Sequence, residues 1–565
     1  MTLPTSETPI VEEQRSLRSD GGRWRPALAG ILLLAFGLRV LTISNQSLWF
    51  DEAFSLLLSR HDFPEIAART ARDTMPPLYY WLLHVWPPLP VGEGGGEGVP
   101  RSLSAITGTL SVALSFVIAR RLLSTPAALW AALFTAIAPF QVFYGQEVRM
   151  YALLGVWSLL AAYGFIVGWR DNDRRGWVLY GLGTALAMYT HPLGGLPSFA
   201  LVAWAVGMAV GGFVGWRRVH PYPNLPLSKG EGTITEGPTT IGTRPLSPAR
   251  ERDRVRGLPG NLSNGDNPRQ SLTLLRAPGL ALAIAGIAYL PWLSVLVGQA
   301  QQVLNSFWAS PPSVVSPLAS FYLFFEGPFG GRFFPVLLAV ILVPLAFGLI
   351  AFRYSSLSER LSLSLLWAWL ALPLLALLAL SLVRSVYLER VVIGASFPIY
   401  IVLGWTVATL RPRAIGTSLG VAVLAAGVVG LAGWFGDPSM GKPPQREAAS
   451  VVVAQWREGV PVVHTSDGSY LPFLLYAPHI DNQLLAGDPE AIAHTARARS
   501  TYDTLGVHAM PLADAVRGAS EFTVVIALDH SVEWQLEQAA ALDSAYTRID
   551  EQNVGGILVR RYRVR

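Results

Sequence analysis

The sequence predicts an α-helical polytopic membrane protein of about 11 transmembrane helices, followed by a small exterior C-terminal α/β domain. Three observations carry this reading. Of 565 residues, 51% are hydrophobic and 14% charged, against about 25% charged in a soluble protein. Many of the 18 Trp residues stand near the ends of apolar runs, where aromatic belts form at a bilayer surface. From residue 436 onward the composition turns soluble. The net charge of +5 does not point to nucleic acid, because most Arg residues lie in short loops between apolar runs and set membrane orientation there. The chain has no Cys, which excludes disulfides and thiolate metal sites.

Residues 1–25 end in Arg15, Arg18, Arg23 and Arg25, a cytoplasmic tail by the positive-inside rule. The transmembrane domain covers residues 26–434. Its first span, 26–43, lacks a small-residue cleavage site and reads as retained. Residues 44–100 form the first exterior loop, with Asp51-Glu52, an amphipathic helix near 53–70 and the run 73–86. That last run is bracketed by prolines and too short to span, so an interfacial helix is expected. Residues 87–99, rich in Pro and Gly, read as a flexible linker. Further spans fall at 102–119, 126–141, 151–169, 176–190 and 193–215. A Pro/Gly/Ser/Arg-rich insertion at 216–273 is expected to be disordered and cytoplasmic. Spans resume at 274–297, 335–352, 361–383, 391–410 and 414–434. The odd total puts the domain at 436–565 on the exterior face. Within it, 451–453, 461–464 and 523–528 read as short buried strands, and 488–499 and 531–541 as helices.

All the notable polar clusters fall on the exterior side: Asp51-Glu52, Asp73, the turn from Tyr144 to Tyr151 with Glu147 and Arg149, His191, and Arg384 with Tyr387, Glu389 and Arg390. Acids, a His and several Arg gathered at one interface suit a phosphorylated headgroup and proton abstraction from a hydroxyl. Each has a plainer reading. Asp51-Glu52 suit a helix start. Glu147 and Arg149 suit an interface ion pair. His191 suits the end of a span, and Arg384 and Arg390 suit its exterior flanks.

The succession SLWFDEAFS, DTMPPLYYWLL, RSLSAITGTLSVALSFVIARRL, PFQVFYGQEVRMYALL and YTHPLGGL resembles bacterial glycosyltransferases of family 39. These are membrane-embedded enzymes of the GT-C class, related to the protein O-mannosyltransferases and the lipid A aminoarabinose transferases. The resemblance implies a GT-C fold and an inverting transfer of sugar from a polyprenyl-phosphate donor to a lipid, glycan or protein acceptor of the cell envelope. It implies Asp51 as general base, with Glu52 orienting it or binding sugar. It implies substrate binding by Asp73, Tyr79, Tyr80, Glu147, Arg149, Tyr151 and His191. Met75 stands where relatives carry Lys or His, so phosphate binding falls to Arg72, Arg149, Arg384 or Arg390. No metal is required, since Arg neutralises phosphate; a divalent ion at Asp51, Glu52 or Asp73 is the alternative. Two other functions are weighed against the transferase. A transporter or flippase would place charge near the midplane of broken helices, whereas the acids here sit at one interface. An inactive, glycan-binding relative would fit Met75.

Overall fold

The computed structural model describes residues 22–87, 96–219, 275–306, 309–486, 502–528 and 532–564. Most of the 216–273 insertion, the middle of the 87–99 linker and the expected helix at 488–499 lie outside them. The helices in chain order begin with α1 (Trp24–Val40), α2 (Phe50–Ser59), α3 (Phe63–Thr70), α4 (Leu78–Val85), α5 (Gly98–Leu122), α6 (Thr125–Ile137) and α7 (Pro139–Tyr144). Next come α8 (Tyr151–Asp171), α9 (Arg174–Thr190), α10 (Leu196–Val219), α11 (Arg276–Ser306), α12 (Ser316–Glu326), α13 (Phe334–Phe352) and α14 (Leu357–Ser381). A 3-10 turn (Glu389–Ala395), α15 (Phe397–Thr409) and α16 (Arg413–Gly436) complete the helical part.

Each of the eleven expected spans is thus helical. Among the described residues, α5, α8, α11, α13, α14 and α16 are at least 18 residues long and apolar enough to cross a membrane, and the turn 389–395 with α15 makes a seventh, bent by 49°. The helices α1, α6 and α9 are shorter, with 17, 13 and 17 residues, and the apolar part of α10, Leu196–Gly211, is short as well. The expected 53–70 helix is two helices, because Asp62 caps a fresh start at its side chain and Pro64 occupies the first turn.

Two contacts fix the end of the bundle that carries the first loop. Arg39, fully buried in α1, donates to the carbonyls of Ala35, Ala136 and Thr135, the last two left open where α6 breaks before Pro139. Room for its guanidinium exists because Gly108 and Gly145 lack a Cβ; one built on Gly108 would lie 2.7 Å from Arg39 Nε. Gln146 then donates to the carbonyls of Leu38, Arg39 and Leu41. The turn carrying Glu147 and Arg149 is therefore tied to the end of α1.

After a 3-10 turn (Pro438–Met440) come α17 (Gln445–Gln455), β1 (Val462–His464), α18 (Asp467–Tyr476), β2 (Asn482–Leu485) and β3 (Ala509–Met510). They are followed by α19 (Leu512–Ala515), β4 (Glu521–Ala527), α20 (Val532–Ala545), β5 (Thr547–Val554) and β6 (Ile557–Arg563). The sheet order is β3-β2-β1-β4-β6-β5, parallel through β3-β2-β1-β4 and antiparallel beyond. The expected strand at 451–453 is instead the last part of α17, which buries Ala448, Ala449 and Val452 on one face; helical spacing of that face prevails over the β preference of the Val run. The domain sits on the first loop. Leu48 N–H donates to the Tyr476 hydroxyl, which donates to Glu97 Oε1, each at 2.7 Å. The 97–99 end of the expected linker is accordingly built into the structure, with Glu97 buried and Gly98 opening α5.

Candidate active site at the first loop and the 145–150 turn

Asp51 and Glu52 occupy the first turn of α2, but neither caps it: Trp49 is the N-cap and no side-chain cap bond forms. Glu52 turns inward and is fully buried. Its Oε1 accepts from Arg101 Nε at 2.8 Å and Val148 N–H at 2.9 Å. Its Oε2 accepts from Arg101 Nη2 at 2.7 Å and lies 3.0 Å from Lys442 Nζ. Burial would push this carboxyl up; the Arg101 and Lys442 cations and the Val148 N–H outweigh it and hold the pKa at about 2. The remaining Arg101 donors go to the carbonyls of Ile43, Gln46 and Ser47. Glu52, Arg101 and the 43–47 backbone form one closed polar knot.

Asp51 faces the other way and is partly exposed. Its Oδ2 lies 3.8 Å from Arg149 Nε. Arg149 Nη1 reaches the Asp51 carbonyl and Ser55 Oγ, each at 3.4 Å. Two guanidinium groups lie over the Tyr151 ring, with Arg149 Cζ 5.9 Å and Arg390 Cζ 5.8 Å from its centroid. The His191 ring is 6.5 Å from that of Tyr151. His191 Nδ1 accepts the Leu193 N–H, so the proton resides on Nε2, which is buried and meets no acceptor among the described residues. Burial, with Arg149 and Arg390 nearby, holds this imidazole neutral, its pKa lowered to about 3. Tyr79 and Tyr80 are buried at the start of α4. Burial raises both phenols while the Arg149 charge opposes it, and Tyr80 also lies in the field of Asp73 and Asp51.

Glu147 is buried beside Lys442, its Oε1 3.6 Å from Nζ. Burial pushes this carboxyl up; Lys442 opposes it in part, Glu52 and Asp51 add to it, and the result is about 7.

The structure therefore gathers Asp51, Tyr80, Arg149, Tyr151, His191 and Arg390, with Asp73 and Tyr79 at its edge and Glu52 and Glu147 behind. Arg72 is exposed beyond α3, and Arg384 lies in the turn after α14; the contacts described for the cluster are made without them. Three residues escaped the sequence reading: Arg101, Glu97 and Lys442. Arg101 had a signal, a lone cation at the start of a span that follows an acidic loop. Lys442, nearly four hundred residues from Glu52, had none. Among the described residues no three His, Asp or Glu side chains are grouped to hold a metal. At Glu52 both oxygens already face cations, a setting that repels a divalent ion.

Comparison with known proteins agrees with this architecture. The family described as dolichyl-phosphate-mannose-protein mannosyltransferase matches residues 74–222, which include Tyr79, Tyr80, Arg101, Glu147, Arg149, Tyr151 and His191. No curated protein matches the chain by sequence. Among solved structures, ArnT from Cupriavidus metallidurans in the apo state aligns with a TM-score of 0.55 and 12% identity over 96% of this chain and 98% of that one. ArnT bound to undecaprenyl phosphate aligns with a TM-score of 0.54, 12% identity and the same coverage. The motif likeness and the comparisons point the same way: residues 74–222 are similar to the dolichyl-phosphate-mannose-protein mannosyltransferase family, and the chain is a polytopic helical protein with the fold of ArnT.

Proposed function

We propose that the protein is an inverting glycosyltransferase that moves a sugar from a polyprenyl-phosphate donor to a hydroxyl-bearing acceptor at the exterior face of the cell membrane. The observation that carries this is the pairing of a carboxylate, Asp51, with two guanidinium groups, Arg149 and Arg390, around one aromatic ring. Asp51 accepts the acceptor hydroxyl proton while that oxygen forms its bond to the anomeric carbon. The bond from that carbon to the phosphate oxygen breaks on the opposite side, which inverts the centre. Polyprenyl phosphate leaves, its charge met by Arg149 and Arg390 and by the Nε2–H of His191. Tyr79, Tyr80 and Asp73 line the sugar side. The bound undecaprenyl phosphate of ArnT supports the donor class for this chain.

In this reading eleven helices cross the bilayer, with the N-terminus cytoplasmic and the C-terminal domain exterior. A reporter fused after Arg565 is expected to read exterior; a cytoplasmic signal would overturn the topology. Asp51→Asn is expected to lower transfer from a polyprenyl-phosphate sugar by about 10²- to 10⁴-fold, the usual contribution of a general base, with a smaller loss in melting temperature than Glu52→Gln causes. Unchanged turnover would remove Asp51 from that role. Mass spectrometry of envelope lipids and glycans from cells carrying either the wild type or the Asp51→Asn variant identifies the acceptor.

A further inference from the structure

Segment 442–447 joins the last membrane helix, α16, to the outer domain. It is stitched to the first loop at both its ends. Lys442 N–H donates to Gln46 Oε1. Arg446 donates to Glu97 Oε1 at 2.8 Å and to the carbonyls of Ser44 and Asn45. The Arg446 N–H donates to Ser47 Oγ, and Ser47 in turn donates to Glu447 Oε2 at 2.8 Å. From this joint the Lys442 side chain, only 8% exposed, passes inward to Glu52 and Glu147.

We infer that Lys442 is a positioning residue: through it, the seating of the outer domain on the first loop holds the two buried carboxylates that stand behind Asp51. The two acids differ in their need for it. Glu52 keeps Arg101 if Lys442 is lost. Glu147 does not, because Lys442 is the only cation within ion-pair distance of it among the described residues. The Glu147 backbone carbonyl accepts from Ser104 Oγ at 2.6 Å, and its neighbour Val148 binds Glu52. Movement of an uncompensated Glu147 therefore shifts the turn that presents Arg149 to Asp51. Buried charges left without a counter-ion are strongly unfavourable, so the turn has reason to move.

The inference rests on the transferase reading for its kinetic arm only. Full-length protein in detergent is compared as wild type, Lys442→Met, Lys442→Arg, and Lys442→Met with Glu147→Gln. The first readout is thermal melting. Lys442→Met is expected to melt at lower temperature, and the added Glu147→Gln to recover part of that loss by removing the charge in need of a partner. No recovery would overturn the Lys442–Glu147 coupling. The second readout is transfer from a polyprenyl-phosphate sugar to envelope acceptor. Lys442→Met is expected to lower kcat by about a hundredfold, as for a small misplacement of reacting groups, with the donor KM little changed. Lys442→Arg is expected to restore most of it, and the double variant to regain stability without regaining kcat. Wild-type kcat in Lys442→Met would overturn the positioning role. Should the wild type transfer sugar from no such donor, the transferase reading fails while the melting comparison still decides the coupling.

Discussion

Asp51 and Glu52 are adjacent in sequence and opposite in environment. Glu52 is sealed from solvent and saturated: four contacts from Arg101, Val148 and Lys442 leave neither oxygen open. Asp51 keeps partial access to solvent, and the Arg149 guanidinium stands off from it at 3.8 Å. A group whose hydrogen-bonding capacity is spent on the protein serves the fold. A group that retains access to solvent can receive a substrate proton. The same contrast separates the cations: Arg101 spends its donors on carbonyls and Glu52, whereas Arg149 and Arg390 lie against the face of Tyr151.

The largest expected effect breaks the saturated side. Glu52→Gln takes from buried Arg101 its paired carboxylate and leaves Lys442 with Glu147 alone, and Arg101→Met leaves most of the burden of Glu52 on Lys442. Either is expected to cost about 3–5 kcal/mol, the usual penalty for splitting a buried pair. Melting in detergent checks this. A loss below about 1 kcal/mol, the level of a surface pair, would show that the knot does not hold the loop. Asp51→Asn, by contrast, is expected to cost less, because its ion pair with Arg149 is longer, at 3.8 Å, and partly exposed. If both acids proved equally costly to stability, the division between a structural and a reactive carboxylate would be wrong.

Next in size is the phosphate side. Arg390→Gln is expected to reduce kcat by about 10²- to 10³-fold, in the range for removing one group that stabilises developing charge. Arg384→Gln and Arg72→Gln are expected to change it less, because Arg149 and Arg390 are the guanidinium groups described over the Tyr151 ring. Equal losses at Arg384 and Arg390 would move the phosphate away from Tyr151.

How much of this was legible beforehand follows from distance along the chain. Helical periodicity and hydropathy are local, so the expected helices were visible, although among the described residues only six, or seven with the bent pair, are long and apolar enough to cross a membrane. The motifs around Asp51, Tyr80, Arg149 and His191 were visible as polar residues where apolar ones are expected. Arg390 was visible as a flank, but nothing separated it from Arg384; only the fold sets one against Tyr151 and leaves the other in a turn. Lys442 was invisible because its meaning comes from the docking of a domain built much later in the chain. The Val run at 451–453 misled because its β preference is weak beside the helical face it shares with Ala448 and Ala449.

The smallest expected effect concerns pH, and it again divides neighbouring acids. Glu52 is held down to about 2, so its pairing stabilises the native state above the ordinary Glu range near 4.5 and is lost as pH falls through about 2. Glu147 is pushed up to about 7. Between about 4.5 and 7 the unfolded chain has released this proton while the native state retains it. Stability therefore falls as pH rises across that window, by the linkage relation. Glu147→Gln removes the titration, so the variant is expected to melt nearer to, or above, the wild type at about pH 8 and to lose this advantage at about pH 5. Arg101 and Lys442 pull the two acids apart by sharing Glu52 while only Lys442 reaches Glu147. A Glu147→Gln variant that tracks the wild type at both pH values would mean that Glu147 is ionised throughout, with Lys442 compensating it as fully as Arg101 compensates Glu52.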